Sequence, residues 1–413
     1  MNHVGSLDVS PSDVPLHHRL AAKLVVAALE RWRGGQLLVS LPNGNELRFG
    51  QASSGRPVRL VVKRWRFFWR ALTGADVGVG ESYMDGEWSS NDLAELCRQF
   101  LQGQSVLSYR SPWTAVTRLR NLLLRIARAN TMSGSRRNIR SHYDLSNDLY
   151  RLFLDESMTY SCAVFERDDM SLEEAQRHKI DQICRRLELV PGLAVLEIGS
   201  GWGGFAIHAA RHYGCRVVSL TLSQQQLELA RERVRHAGVE SVVDIRLCDY
   251  RQATGQFDRI VSIEMFEAVG YEYYRDFFGQ CDRLLKPGGR MFLQTITVPD
   301  QRFDSYRREF DWIRKYIFPG GLLASVHAVA TVLKRYTDLR IEWMQDIGPH
   351  YARTLRCWRE RFLSHLPDVD RLGFDERFHR MWEFYLASCE AAFGTRHIGD
   401  VQMILTRPKP GLG

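Results

Sequence analysis

Short apolar runs alternate with longer amphipathic stretches between residues 171 and 297 of the 413-residue chain. The short runs are typical of buried strands, and the longer stretches carry apolar residues at the spacing of a helix face. This alternation predicts an α/β fold with a mainly parallel sheet flanked by helices, which binds its ligand at the carboxyl edge of the strands. The predicted strands are Ala194–Leu196, Val217–Leu220, Val242–Leu247, Phe257–Ile263 and Arg290–Thr297, and the predicted helices are Leu172–Leu189, Gln224–Ala237 and Tyr273–Leu285.

The chain before residue 130 lacks this regular alternation and predicts a small α+β domain. The predicted elements are helices over Leu20–Trp32 and Asp92–Leu101, a hairpin over Leu37–Leu47 that turns at Asn43-Gly44, and a strand region over Val58–Phe68. A polar and basic stretch, Thr131–Arg140, follows. We therefore predict two domains, 1–130 and 131–413, of which the first has a role in lipid contact or dimerisation.

The net charge of the chain indicates the class of partner that it binds. The net charge of +8 and the isoelectric point near 9.1 favour an anionic partner, either a membrane surface or a nucleic acid. Two basic stretches rich in apolar residues, Lys63–Arg70 and Trp113–Arg128, are candidates for lipid contact; a half-buried strand and a linker helix are the alternative interpretations. No RNA-module signature is present and no apolar run is long enough to cross a membrane. We expect an anionic membrane surface as partner and no nucleic acid.

The eight cysteines are scattered, and no two of them form a C-x-x-C pair. This spacing argues against a zinc ribbon or a disulfide framework, so we expect no metal site and a reducing compartment. The N-terminus also lacks the basic and then apolar layout of a signal peptide. These features predict a cytoplasmic protein, peripheral to the inner face of the membrane.

A glycine-rich segment follows the strand that begins at Ala194. Gly199, Gly201 and Gly204 satisfy G-x-G-x-x-G, which a dinucleotide site and an S-adenosylmethionine (SAM) site can both use. A dinucleotide site normally has a carboxylate at the end of the next strand. That strand instead ends in a threonine, a leucine and a serine, residues 221–223. The pattern favours SAM, and a glycine turn without a ligand is the other interpretation.

Three further loops lie at the same predicted edge of the sheet. They are 221–226, whose hydroxyls and amides can hold a ribose and a methionine; Cys248-Asp249-Tyr250, whose carboxylate and ring can hold adenine; and 263–267. Glu267 in the last loop can act as a base or position one. The four loops together predict SAM-dependent methyl transfer by the second domain. From the residues alone, Cys162 is most simply a small buried side chain.

Several runs of residues resemble the cyclopropane-fatty-acid synthase family, which includes the mycolic acid cyclopropane synthases. The matching runs are His142–Asp148, Met158–Ala163, Leu196–Gly203, Leu220–Gln226, Phe257–Ser262, Tyr316–Gly321 and His350-Tyr351. The resemblance covers the chain from about Ile139 to the C-terminus. The N-terminal domain is similar to the extra domain of the longer, phospholipid-modifying bacterial members.

The resemblance implies a Rossmann-like SAM-dependent methyltransferase domain that forms cyclopropane rings on unsaturated phospholipid acyl chains. The double bond takes the methyl group of SAM, a carbocation forms, and a base removes a proton so that the ring closes. A bound bicarbonate ion is the base in the family. Phe266, Tyr316 and Phe318 are candidates for an aromatic wall around the cation. The larger family members also imply a homodimer, which no feature of the sequence itself indicates.

Site residues are carried over position by position. The resemblance implies a bicarbonate site formed by Cys162, Glu267, Gln294, Ile296 and Tyr351. It implies SAM binding by Tyr160, Ser161, Gly199, Gly201, Thr221, Leu222, Gln226, Asp249, Tyr250 and Ile263.

The chain departs from the family pattern at three positions. Ala268 and Gln294 stand where the family commonly has histidine, and Glu264 stands where it commonly has glycine. A second carboxylate near the site would oppose an anion. The departures leave methyl or methylene branching without ring closure open as an alternative. An alternative of another class is a non-catalytic or RNA-directed SAM-binding protein.

Overall fold

The computed structural model describes residues 14–32, 34–51, 56–103 and 146–409. Trp113–Arg128, the proposed boundary between residues 130 and 131, and the first residues of the run that begins at His142 lie outside the described residues. The division into domains 1–130 and 131–413 therefore stays a prediction.

A four-stranded sheet and three helices form the described part of the chain before residue 104. The elements are α1 Leu16–Leu29, β1 Leu37–Ser40, β2 Glu46–Phe49, β3 Val58–Val62, α2 Arg66–Met84, β4 Trp88–Ser90 and α3 Leu93–Gln102, and the strand order is β2-β1-β3-β4. Strands β1 and β2 form the predicted antiparallel hairpin. Gly44 in its turn has a φ of +86°, a conformation that favours glycine.

The predicted strand region Val58–Phe68 is wrong in its second half. Strand β3 ends at Val62, and helix α2 begins at Arg66. Phe67 and Phe68 pack in the core, and Arg66 donates to Glu87 at 2.6 Å. Helix α2 thus places the two phenylalanines in the core and pairs Arg66 and Arg70 with acidic residues, whereas Lys63 and Arg64 stay exposed.

The second sheet has seven strands in the order β10-β11-β9-β8-β5-β6-β7. The strands are β5 Ala194–Ile198, β6 Arg216–Thr221, β7 Val243–Leu247, β8 Phe257–Ile263, β9 Leu285–Thr297, β10 Arg340–Asp346 and β11 Gly399–Thr406. Strands β5 to β9 pair in parallel, and β11 runs antiparallel between β9 and β10. The predicted mainly parallel α/β sheet is confirmed.

Helices surround this sheet and extend beyond it. They are α4 Asn147–Arg151, α5 Leu172–Arg186, α6 Gly204–Tyr213, α7 Gln224–His236, α8 Tyr274–Leu284, α9 Asp300–Tyr306, α10 Trp312–Tyr316, α11 Val326–Tyr336, α12 Gly348–Ser364, α13 Leu366–Arg371 and α14 Glu376–Gly394. Helix α5 begins with a capping box, in which Ser171 and Glu174 satisfy each other's backbone amides. No helix among the described ranges is long and apolar enough to span a membrane.

Helices α10 and α14 connect the two sheets. The Asp76 carboxylate of α2 accepts from the Trp312 backbone amide at 2.9 Å, and the Tyr83 hydroxyl donates to Glu383 at 2.7 Å. Aromatic rings from both regions join one apolar core, in which Trp312 packs edge-to-face on Phe384. The N-terminal sheet is therefore held against two helices that lie between strands β9 and β11 in the chain.

Candidate active site

A pocket opens at the carboxyl ends of strands β5, β6 and β8 in the second sheet. Its wall includes nine of the ten predicted SAM-binding residues: Tyr160, Ser161, Gly199, Gly201, Thr221, Leu222, Gln226, Tyr250 and Ile263. It also includes Lys179, Glu197, Glu264 and Ala268. Because parallel strands end at the same edge, loops far apart in sequence meet around one space.

The glycine loop forms one side of this pocket. Gly199 has a φ of +101°, and a Cβ there would lie 3.0 Å from the Cβ of Met265. Gly201 has a φ of +47°, and a Cβ there would meet no atom within 4 Å, although the residue lines the pocket. Gly203 caps the N-terminus of α6. The first glycine permits close packing, and the second keeps the space free for a ligand.

The end of strand β6 offers neutral polar groups. The Thr221 hydroxyl donates to the Gln226 side chain at 2.9 Å, and the Ser223 backbone amide donates to the Thr221 hydroxyl at 3.1 Å. Glu197, at the end of β5, accepts from the Ser219 hydroxyl at 2.5 Å, and burial raises its pKa to about 8. The polar side chains at this part of the wall are thus fixed by each other before any ligand binds.

Asp249 is the predicted SAM residue that does not line the pocket. Its carboxylate accepts from the Arg251 guanidinium at 2.6 and 2.9 Å and from the Arg251 backbone amide at 3.0 Å. Tyr250, the next residue, does line the pocket. Because a carboxylate oxygen can accept more than one hydrogen bond, the bonds from Arg251 do not exclude adenine, and the predicted contact of Asp249 stays a prediction.

A second group of residues lies at the Glu264 side of the pocket. Two donors converge on one oxygen of Glu264: the Cys162 backbone amide at 2.8 Å and the Gln294 side-chain amide at 2.7 Å. The Tyr351 hydroxyl donates to the other oxygen at 2.6 Å. We call Cys162, Lys179, Glu264, Glu267, Gln294, Tyr351 and Asp400 the Glu264 cluster. Four of its members are predicted bicarbonate residues, and three of these donate to Glu264.

Glu267 lies beside this arrangement and is held separately. One carboxylate oxygen accepts from the Ile296 backbone amide at 2.5 Å and from the Thr295 hydroxyl at 2.9 Å. The other oxygen is shielded from solvent and has no hydrogen-bond partner among the described residues. Burial and, second, the charge of Glu264 raise the pKa of Glu267 to about 7.

Asp400 and Lys179 balance the charge of the cluster. Burial and, next, the charge of Glu264 raise the pKa of Asp400 well above its usual range, which favours its neutral form. Burial lowers the pKa of Lys179, and Glu264 is the largest influence that opposes this change. The Lys179 ammonium donates to the Ser161 hydroxyl at 2.6 Å, so it joins the cluster to the pocket wall. Burial also raises the pKa of the Cys162 thiol, which argues against a thiolate there.

Comparison with known proteins shows the family of the chain. A family model described as mycolic acid cyclopropane synthetase matches residues 131–403. The chain belongs to this family. It is a SAM-dependent methyltransferase, and the predicted fold class and enzyme class are both confirmed.

Two relatives extend the likeness into the N-terminal region. The chain is 44% identical over 347 residues to the tuberculostearic acid methyltransferase of Mycobacterium tuberculosis. The matched segment covers 81% of this chain and 79% of that protein. The chain is also 40% identical over 377 residues to the cyclopropane-fatty-acyl-phospholipid synthase of Escherichia coli. This matched segment covers 88% of this chain and 92% of that protein.

Two solved structures of mycolic acid enzymes match the second sheet region. The cyclopropane synthase MmaA2 from Mycobacterium tuberculosis is 34% identical, with a TM-score of 0.62 over 66% of this chain and 98% of that chain. The mycolic acid cyclopropane synthase CmaA1, complexed with SAH and CTAB, is 35% identical, with a TM-score of 0.61 over the same shares.

The residues of this family member fit SAM. Gly201 leaves free space where a Cβ would intrude, and Tyr160, Ser161, Leu222 and Gln226 line the same pocket. The residues do not fit bicarbonate in the same way. The donors that the resemblance assigned to that anion already bond to the Glu264 carboxylate, and a second anion beside it would be repelled.

Aromatic residues around the site differ from the expectation. Phe266 is fully buried against Tyr274 and Phe277, and the Tyr316 hydroxyl donates to Glu81 at 2.8 Å. Neither these two residues nor Phe318 line the pocket. The aromatic members of the wall are Tyr160, Trp202, Phe205 and Tyr250. None of the first three residues belongs to the cofactor pocket, and their predicted place around the cation stays a prediction.

Sequence reasoning missed three polar members of the site. Lys179 lies in the middle of an amphipathic helix, Asp400 is the second residue of strand β11, and Thr354 belongs to no recognisable motif of the sequence. In the structure, the Thr354 hydroxyl accepts from the backbone amide of Ala163 at 3.1 Å and orients the segment beside Cys162. A charged residue on the apolar side of a helix was the only available signal, and it applies to Lys179 alone.

Proposed function

We propose that this enzyme transfers a methylene unit from SAM to the double bond of unsaturated phospholipid acyl chains and closes a cyclopropane ring. The observation that carries the proposal is the likeness to the cyclopropane-fatty-acyl-phospholipid synthase of Escherichia coli, which extends through both the N-terminal and the second sheet regions. When bound, SAM supplies the methyl group that adds to one carbon of the double bond. The positive charge then lies on the other carbon of the acyl chain.

The chain's own residues support this reaction in three ways. The glycine loop and the end of β6 bind the cofactor through neutral and backbone groups. Tyr160 lines the pocket, and its hydroxyl is hydrogen bonded to Tyr385 at 2.8 Å, which holds an aromatic ring near the reacting centre. An aromatic face stabilises a cation.

Product analysis tests the proposal. Purified enzyme, SAM with a labelled methyl group and vesicles of monounsaturated phospholipid are incubated, and the fatty acid methyl esters are analysed by mass spectrometry. A labelled product that has gained one methylene and resists hydrogenation supports ring formation. A labelled product that still takes up hydrogen would mean branching without closure, and labelled RNA without labelled lipid would overturn the lipid assignment.

The same proposal includes contact with an anionic membrane surface at the inner face of the membrane. The net charge of +8 and the exposed side chains of Lys63 and Arg64 support it. We expect the protein to sediment with phosphatidylglycerol vesicles at low salt and to be released at high salt. Equal binding to phosphatidylcholine vesicles would contradict an electrostatic contact.

Dimerisation is the remaining part of the proposal. We propose a homodimer because the resemblance to the larger members of the family implies one. Light scattering of the purified protein should give twice the 47.7 kDa of one chain. A mass of one chain at all tested concentrations would exclude the dimer.

A further inference from the structure

We propose that the Glu264 carboxylate is the base that accepts the proton lost at ring closure, so that the enzyme needs no bicarbonate. This inference rests on the proposed function and names a catalytic residue for it. Three observations support it: the contacts of the carboxylate, the backbone conformation of the residue and the state of the neighbouring acids.

The contacts hold the carboxylate at the pocket wall. The Cys162 amide, the Gln294 amide and the Tyr351 hydroxyl donate to it over 2.6–2.8 Å. Gln294 is itself fixed, because its carbonyl accepts from Gln402 at 3.0 Å. Gln294 is fully buried, whereas Glu264 keeps part of its surface exposed and lines the pocket. The carboxylate is therefore oriented from behind and open towards the cofactor space.

The backbone of Glu264 has a conformation that glycine adopts more easily. Its φ is +49°, in the left-handed region, where a residue with a side chain is uncommon. Such strain persists where the surrounding structure specifies it, and it concentrates at functional sites. The chain thus keeps a glutamate at a position whose backbone favours glycine, and it surrounds the carboxylate with donors.

The neighbouring acids are less suited to accept a proton. Glu197 and Glu264 are the acids in the pocket wall. Burial raises the pKa of Glu197 to about 8, which favours its protonated form at neutral pH. Glu267 and Asp400 do not line the pocket, and the pKa of each is raised.

The proposed step is balanced within the enzyme and its substrate. One C–H bond of the newly added methyl group breaks, and its electron pair forms the second carbon–carbon bond to the cationic carbon. The proton passes to the Glu264 carboxylate and later to solvent. The lipid thereby loses its positive charge, the glutamate becomes neutral for one step, and no oxidant or further reactant is required.

Two substitutions at position 264 test the proposal. Glu264→Gln keeps the shape and removes the basic group, and the Tyr351 hydroxyl can accept from the new amide. Glu264→Gly suits the positive φ and leaves a space bounded by the three donors. Glu240→Gln, at an exposed position outside the pocket, is the matched control. SAM affinity, measured by calorimetry, reports whether each variant is folded and keeps the cofactor site.

We expect ring formation by Glu264→Gln to fall about 100-fold or more, as for loss of a general base. SAM binding should remain, and the control should match the wild type. Glu264→Gly should also lose activity but regain it when bicarbonate is added, whereas the wild type should work equally well in carbon dioxide-free buffer. Wild-type ring formation that stops without bicarbonate, or a fully active Glu264→Gln, would overturn the proposal.

A binding measurement separates this inference from the proposed function. Carbon-13 NMR with labelled bicarbonate should show saturable binding to Glu264→Gly and none to the wild type, whether or not any lipid is converted. Bicarbonate binding by the wild type at this site would contradict the inference. Absence of a ring product from every tested lipid, with the expected NMR result, would contradict the proposed function alone.

Discussion

The cofactor pocket and the Glu264 cluster share one wall but are built on different physical principles. The pocket is formed by the ends of neighbouring strands, and its wall offers glycine backbone, hydroxyl and amide groups. The cluster gathers Cys162, Lys179, Glu264, Tyr351 and Asp400 from distant segments, and all of these except Glu264 are buried. A neutral hydrogen bond contributes a small free energy. A buried charge without a partner costs several times more free energy. Substitutions in the cluster should therefore affect folding and chemistry, and those in the pocket should affect cofactor affinity.

The largest stability effect is expected at Lys179. Lys179→Met keeps the length of the side chain and removes the cation that faces Glu264 and Asp400. Loss of one partner from a buried charged group typically costs about 3–5 kcal/mol. Urea unfolding measures the change. Lys286→Met is the control, because its partner Asp258 forms a half-exposed pair worth at most about 1 kcal/mol. Equal losses for the two variants would contradict the distinction between the cluster and an ordinary ion pair.

The second prediction addresses the pocket. Gly201→Ala places a methyl group in the cofactor space, and we expect SAM affinity to fall by about tenfold, or about 1.4 kcal/mol. Gly192→Ala is the control, because Gly192 also has a positive φ and open space around it but does not line the pocket. Both should lose stability through backbone strain, and only the first should lose affinity in calorimetry. A loss of affinity in both variants would mean that strain, not the methyl group, is responsible.

The third prediction concerns the pH dependence of stability. The pKa of Glu267 is raised to about 7 in the folded protein, against about 4.3 in an unfolded chain. Between these values the folded state binds more protons, so the contribution of Glu267 to stability falls as the pH rises. The unfolding free energy of the wild type minus that of Glu267→Gln should therefore decrease from about pH 4.5 to about pH 7.5.

Chemical denaturation at a series of pH values measures this difference. The same comparison for Gly201→Ala should be flat, since that substitution removes no titrating group. A difference for Glu267→Gln that rises with pH would contradict the raised pKa.

The smallest effect is expected outside both regions. Tyr83→Phe removes the hydrogen bond to Glu383 that connects α2 and α14. We expect a loss of about 1 kcal/mol in unfolding free energy and no change in SAM affinity. A substantial fall in SAM affinity would show that the N-terminal sheet influences the pocket, which the contacts do not suggest.

The sequence predicted the pocket better than the cluster for a physical reason. Alternating strands and helices produce a periodic pattern, and the turns at strand ends carry recognisable residues such as Gly199, Gly201 and Thr221. The Val58–Phe68 error arose where the pattern was local and short: apolar and basic residues continued past Val62, but the chain had changed from strand to helix.

Glu264 shows which contacts a sequence pattern cannot predict. Its departure from glycine was visible in the sequence and predicted repulsion of a bound anion. The structure instead joins its carboxylate to Cys162, Gln294 and Tyr351. These contacts span 87 to 102 residues in two of the three cases, so no short-range spacing could indicate them. The same distance in sequence explains why Lys179 and Asp400 were missed.

The most direct test is a crystal structure of the wild-type enzyme with S-adenosylhomocysteine, grown in buffer that contains bicarbonate. The account predicts that the Glu264 carboxylate accepts from Cys162, Gln294 and Tyr351 beside the occupied cofactor pocket, with no other anion at these donors. A planar anion bound to the three donors, with Glu264 turned away, would contradict it.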